Sequence, residues 1–501
     1  IAGGEGANKL VLLGATAQTV AALTTGATLT NIQALEIRAG HDAAAGADAV
    51  TVDADAFDKL ATIFVRNEGH NAGAPAAEAA TFNLNDLTAA QGTAITIAHG
   101  TTGNSNIATN TLNVNLKNGT GTTDVVSVTV VDALNSQPRF NFVLDADGDD
   151  AAGVQNNAGV ESVTIVDSDT ESNTIALAKV AEHSGTVTLT GGAAGNVMNL
   201  DTTTAGANGG MYQYAIDGTA TDASTTAIID HSLTAGQVKI VAATVNASAY
   251  AGNAVVRVST SAAATGAQSI TMGTGNDTVI FDNANDNRAG LTISDTVVGG
   301  TGTDTLVIDG NLGVAGTIAL SASEWTNVSG FENLRLVNAG AGSNYSLTLT
   351  DALIAANKDA TGFLNIINDH DSVNDAVNAA DLINGAAQSE SAVVIDARTL
   401  AANSRFSYNG EEGVSLTADR FIMADANING GNVINGGAVN NVNTAGDNAA
   451  NGDVLEVRNA AVVTVGDLAN VSNVGNLVFN NDLAIAQTLT LQLNDTVVDA
   501  M

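Results

Sequence analysis

No cysteine occurs anywhere in the 501 residues. That excludes disulfides, thiol nucleophiles and Cys-ligated zinc. Proline is nearly missing, with only Pro75 and Pro138, and aromatics make up 3% of the chain. A core must therefore come from Ala, Val, Ile and Leu, and an aromatic-lined sugar groove is disfavoured. Basic residues are scarce: 16 Lys and Arg stand against 52 acids, a net charge of −36. Phosphate affinity needs Lys and Arg, so a nucleic-acid partner is excluded. An anionic membrane surface is disfavoured for the same reason. No apolar run approaches the length of a membrane-spanning helix, so membrane insertion is not expected. The signatures G-x-S-x-G, P-loop and Rossmann fingerprint do not occur. The six histidines (His41, His70, His99, His183, His231 and His370) fall in no zinc spacing. No catalytic residue is visible, and the chain is not expected to be an enzyme. Paired carboxylates for glycoside hydrolysis need only spatial proximity and leave no spacing to read.

What is there is alternation. Apolar residues make up 45% of the chain and recur at every second position through many short stretches, each the mark of a strand with one face buried. Four segments share a layout in which an acid or amide precedes a strand. Asn8–Leu12 leads to Ile32–Ile37, Asp124–Val128 to Val160–Ile165, Asp304–Ile308 to Phe331–Leu336, and Asp453–Val457 to Val474–Phe479. The step between the paired strands runs from 21 residues (453 to 474) to 36 (124 to 160). That is too long for a hairpin and suits successive rungs of a coil. A third strand follows each pair: Val50–Val52, Ile175–Leu177, Leu347–Leu349 and Leu491–Leu493. The expected fold is all-β, with parallel β-solenoid or β-roll-like modules in tandem over 1–120, 121–270, 271–420 and 421–501, the last incomplete. Further strands are expected at Leu112–Leu116 and Ala254–Val258, and short helical turns at Ala56–Ile63, Thr350–Lys358 and Ala376–Ile383. Trp325 reads as a packing residue.

The densest motif lies in Met272–Gly310. Residues Gly299–Val307 fit the nonamer G-G-x-G-x-D-x-U-x, with Gly300, Gly302 and Asp304 in place. Met272–Ile280, 27 residues earlier, carries Gly273, Gly275 and Asp277 and lacks only the first glycine. The two nonamers between keep the phase, so that Asp277, Asp286, Asp295 and Asp304 recur every ninth residue. Val297 holds the apolar slot, whereas Arg288 does not suit it. Glycines allow tight turns that aim backbone carbonyls at one point, and aspartate adds a hard anionic oxygen of the kind Ca²⁺ takes. A second acid cluster, Asp145, Asp147 and Asp149, is either a non-EF-hand Ca²⁺ loop or a solvated turn. Its glycine falls at the fourth place rather than the sixth, and Asn156 stands at the twelfth. The Gly/Asn-rich stretch Asn429–Gly452 precedes the fourth segment as the nonamers precede the third. It is either their decayed equivalent or a polar loop.

The nonamers resemble the calcium-binding repeats of the RTX family. With the Ala/Thr/Gly/Asn-rich surroundings and Val328–Leu336, the chain is similar to bacterial surface-layer (S-layer) proteins that carry such repeats. In the RTX family two nonamers complete one coil around Ca²⁺. The resemblance therefore implies Asp277 and Asp295 on one side and Asp286 and Asp304 on the other. It also implies export by type I secretion, an extracellular cell-surface location and a homo-oligomeric two-dimensional lattice stabilised by Ca²⁺. A cell-surface polysaccharide, reached through another region, is the anchor such a lattice would use. The alternatives are a calcium-stabilised surface adhesin or fibre, and the non-catalytic portion of a polysaccharide-active enzyme.

Overall fold

The computed structural model describes residues 1–13, 29–39, 48–67, 80–99, 110–117, 123–131, 139–145, 160–168, 173–178, 185–194, 197–201, 244–259, 267–282, 291–309, 316–337, 343–369, 392–410, 418–428, 431–437, 452–460, 462–480 and 489–494. They form two compact units. The first is carried by the described residues of Ile1–Gly209, Thr234–Val258 and Gln268–Asn276, the second by those of Asp277–Met501.

The fold is all-β and solenoidal, as the alternation predicts. In the first unit the chain alternates between two parallel sheets, giving a strand to each per coil. One sheet stacks Lys9–Leu13, Ala34–Ala39, Thr62–Asn67, Ile95–His99, Val125–Val130, Ser162–Asp167, Thr186–Gly191, Thr244–Tyr250 and Ser269–Thr271. The other stacks Asp48–Asp53, Ala80–Leu87, Asn110–Leu116, Arg139–Asp145, Asn173–Ala178, Val197–Asp201 and Asn253–Ser259. Register places like residues on like. Leu35, Ile63, Ile95, Val128, Ile165 and Leu189 are neighbours in one inward column, each at most 1% exposed. Each such side chain contributes roughly 1.5–3 kcal/mol by leaving water, and the few aromatics add to the aliphatic core, among them the fully buried Phe82, Phe140, Phe142 and Tyr250. The outward positions carry amides that bond along the stack. Asn113 donates to Asn83 (2.6 Å), Asn115 to Asn85 (2.9 Å), and Asn83 to Thr51 (2.9 Å).

In the second unit one parallel stack runs Thr278–Asp282, Thr305–Asp309, Asn333–Val337, Phe363–Asp369, Arg405–Asn409, Val433–Asn435 and Val471–Ser472. Another runs Gly316–Leu320, Ser343–Thr348, Val393–Asp396, Arg420–Ala424, Val454–Arg458 and Asn476–Asn480. Smaller pairs are Thr296–Val298 with Val328–Ser329 and Val462–Val463 with Thr490–Leu491. The third and fourth segments are one design used twice. Thr305–Asp309 pairs with Asn333–Val337, and Val454–Arg458 with Asn476–Asn480. The repeat is offset by one face, because these two pairs belong to different sheets. Trp325 is 3% exposed and packs in the core of its coil.

The helices are short. Asp351–Asn357 forms as expected, N-capped by Thr350, whose side chain accepts from the Leu353 N–H. The short helical turn expected at Ala56–Ile63 falls earlier, at Ala54–Ala56, and does not continue to Ile63. Asp53 caps one 3-10 turn at Ala54–Ala56, and the chain then extends into Thr62–Asn67, where the alternating buried Ile63 and Val65 belong to the inward column. Two four-residue helices, Ala89–Gly92 and Asp425–Ile428, had no expectation. The expected helix at Ala376–Ile383 lies outside the described residues. No helix among the described residues is long and apolar enough to cross a membrane.

Candidate metal centre

In each of the four segments an acid or amide before a strand does the same work. Its side chain accepts the backbone N–H of the matching residue on the preceding rung, while its own carbonyl accepts from the next rung. In the first segment Gln33 Oε1 accepts from the Asn8 N–H (2.7 Å), and in the second Glu161 Oε2 accepts from the Asp124 N–H (2.8 Å). In the third, Asp304 Oδ1 accepts from the Asp277 N–H (2.7 Å) and Glu332 Oε2 from the Asp304 N–H (2.8 Å). The carbonyls of Asp277, Asp304 and Glu332 then accept from Thr305, Asn333 and Asn365. In the fourth, Asp453 Oδ1 accepts from the Asp419 N–H (2.8 Å). A backbone donor at a strand entry has no ladder partner of its own, and leaving one buried and unmet costs roughly 1–3 kcal/mol. The caps remove that cost.

This geometry corrects the coil implied by the RTX resemblance. Thr278 pairs with Thr305 in register, so one coil spans 27 residues (305 − 278) and three nonamers complete it rather than two. Asp277 and Asp304 thus lie on neighbouring rungs of one column, not on opposite sides. Asp295 serves a local turn, where its Oδ2 accepts from the Thr292 N–H (2.6 Å) and hydroxyl (3.0 Å). Asp467 does the same for Thr464 in the fourth segment (2.7 and 2.9 Å).

The glycines of the motif are set by close approach and turning. Gly273 lies against the carbonyls of Tyr250 and Ala247, and Gly275 against that of Gly252, so a Cβ at either would collide with backbone. Gly300 and Gly302 hold φ of 103° and 147°, a region that side-chain-bearing residues avoid. Gly299 presses on the Gly330 carbonyl beside Asp304, and Gly436 presses on the Asn473 carbonyl beside Asp453. The Asn435-Gly436-Gly437 turn therefore stands to Asp453 as the nonamer turn stands to Asp304. Asp286, Asp147 and Asp149 lie outside the described residues, as does the side chain of Asp145, whose backbone ends the strand Arg139–Asp145.

Asp304 is fully buried. Burial pushes its carboxyl up to about 8. The hydrogen bond from Asp277 pulls the other way, and the charges of Asp277 and Glu332 push up further. Its Oδ2 is buried without a hydrogen-bond partner, a costly state for an ionised oxygen. Among the described residues no three acidic or imidazole groups converge as a metal cage. At Asp304 they supply an unpartnered carboxylate oxygen, next to a glycine turn and the Gly330 carbonyl. That is a partial fit to a cation that takes 6–8 oxygens.

Asp419 and Asp453 form the second buried acidic column. Asp419 is satisfied on both oxygens: Oδ1 accepts from the Val393 N–H (2.8 Å) and Oδ2 from the Tyr408 hydroxyl. Burial pushes Asp453 up to about 6 against the pull of the Asp419 N–H. Sequence reasoning missed Glu332, Asp419 and Tyr408 as members of these columns. The signal that reaches the first two is the acid just before a strand. Tyr408 gives none, being one more inward residue of an alternating strand. Compared with protein families, curated proteins and solved structures, the chain matches none.

Proposed function

We propose that the chain is a structural, self-assembling surface-layer protein. It would form a calcium-dependent two-dimensional lattice on a bacterial cell, outside the membrane and exported by the type I route. The observation that carries this reading is the column Asp277–Asp304–Glu332, buried at the two aspartates and half-buried at Glu332, with the unpartnered Oδ2 of Asp304 at its centre. In a chain of net charge −36, the negative charges of Asp277 and Glu332 add to burial in opposing the ionisation of Asp304, and positive charge from outside would relieve it. Ca²⁺ supplies that charge. Asp304 would hold the ion, with Asp277 and Glu332 on the adjoining rungs adding negative field. The same excess of acid makes copies repel one another, and divalent cations screen that repulsion and bring acidic faces together. The repetitive coil within each unit supports a scaffold role, since stacked rungs bury one another and their stability sums from rung to rung.

The test is electron microscopy of the purified chain with millimolar Ca²⁺ and with chelator. Ordered sheets that dissolve on chelation are expected. Sheets that survive chelator refute the calcium dependence, isolated rods in both conditions favour an adhesin or fibre, and compact particles active on a polysaccharide favour an enzyme's accessory portion.

A further inference from the structure

The column at Tyr408, Asp419 and Asp453 has no part in the reading above. It places two carboxyls on successive rungs, 4% and 7% exposed, linked by the Asp419 N–H to Asp453 Oδ1 bond. Their surroundings are unequal. Asp419 receives two donors, one per oxygen, which favours its ionised form. Asp453 receives the Asp419 N–H on one oxygen, while its other oxygen lies against the Cα of Gly436, where a Cβ would strike it.

The groups facing the pair are few. Tyr408 comes from the strand Arg405–Asn409, with Asn368 of Phe363–Asp369 bonded to its hydroxyl. Gly436 and the Asn473 carbonyl come from the turns after Val433–Asn435 and Val471–Ser472. The Asn476 N–H meets the Asp453 carbonyl. Burial and the Asp419 N–H dominate the environment of Asp453, and among the described residues no cationic side chain contributes to it.

We propose that this column is a proton-operated lock on the coil formed by Val393–Asp396, Arg420–Ala424 and Val454–Arg458. One proton on Asp453 leaves a single negative charge in the column and closes it. Loss of that proton sets two buried carboxylates one rung apart and loosens the coil. The lock stands whether or not the chain forms a lattice, and whether or not Asp304 takes a cation. The titration of Asp453 at about 6 places the change between mildly acidic and neutral surroundings.

Hydrogen exchange of the full chain in chelator, corrected for intrinsic rates, tests it at the amides of Val393, Asp419 and Val454. Their opening is expected to be about tenfold rarer at about pH 5 than at about pH 7.5. Asp453→Asn, which keeps the acceptor and mimics the protonated acid, is expected to show equal opening at both. A wild type without the pH difference, or a variant that retains it, overturns the proposal. Should Asp453→Asn fail to fold, the ¹³C carboxyl titration of Asp453 in the wild type decides. A midpoint near 6 supports the lock, and one at the ordinary carboxylate value removes it.

Discussion

Asn110 in the first unit and Asp304 in the second do the same mechanical work with different chemistry. Both are fully buried and both accept backbone N–H groups from a neighbouring rung: Asn110 Oδ1 from Ala80 (3.0 Å), Asp304 Oδ1 from Asp277 (2.7 Å). Asn110 Oδ1 also takes the Asn67 amide (2.6 Å). The amide caps its rung without charge, leaving only its neutral Nδ2 buried without a partner. The acid completes its rung and adds a buried charge that something must answer, either a proton or a cation. A cap needs only an acceptor, so where the coil uses carboxylates instead of amides it gains sensitivity to its surroundings at the expense of stability.

The largest effect should come from removing the caps. Asn110→Ala orphans the Ala80 N–H and removes the Asn67 contact, and is expected to lose roughly 1–3 kcal/mol. Asp304→Ala should lose less in chelator, because it abandons one N–H but also removes a buried charge. Denaturant unfolding of both variants checks the order, and a larger loss at Asp304 would break the comparison. Next is the exchange of one chemistry for the other. Asp304→Asn keeps the acceptor and is expected to stabilise the metal-free protein near neutral pH by on the order of 2 kcal/mol. Asn110→Asp should destabilise it by a similar amount.

The pH dependence sharpens the same contrast. Asp304 titrates near 3.8 when unfolded and at about 8 in the fold. Between those values the folded state holds more protons, so metal-free stability should fall as pH rises from about 4 to about 8 and stay low above that. Asp304→Asn should flatten part of that slope, and an unchanged slope contradicts the assignment. The smallest effect is expected at Asp295. Its carboxylate closes the Thr292 turn, so Asp295→Ala should cost about 1 kcal/mol, as loss of a turn cap does. Asp467→Ala should match it, with little change in the response to Ca²⁺.

Strand positions were legible because a period of two admits one physical reading when the inward residues are Ile, Val and Leu. The recurring acid or amide before each strand was legible as a pattern, but its purpose was not. A cap joins residues 25 to 37 positions apart (Asn8 to Gln33, Asp124 to Glu161), and only register brings them together. The length of the nonamer coil was misread for a related reason. A nine-residue phase fits coils of 18 and of 27 residues equally, and only the register of Thr278 with Thr305 decides between them. The helical turn expected at Ala56–Ile63 does not reach Ile63 because Ile63 and Val65 are claimed by the inward column, and a tertiary partner outweighs local preference.

The central claim is that the charge on the Asp304 cap is answered from outside the chain. Its most direct test is the calcium dependence of unfolding free energy at about pH 8, measured for the wild type and Asp304→Asn. A ligand that binds only the folded state raises stability with its concentration. The account predicts that millimolar Ca²⁺ stabilises the wild type clearly more than the variant. Equal responses in the two proteins, or none in either, would contradict it.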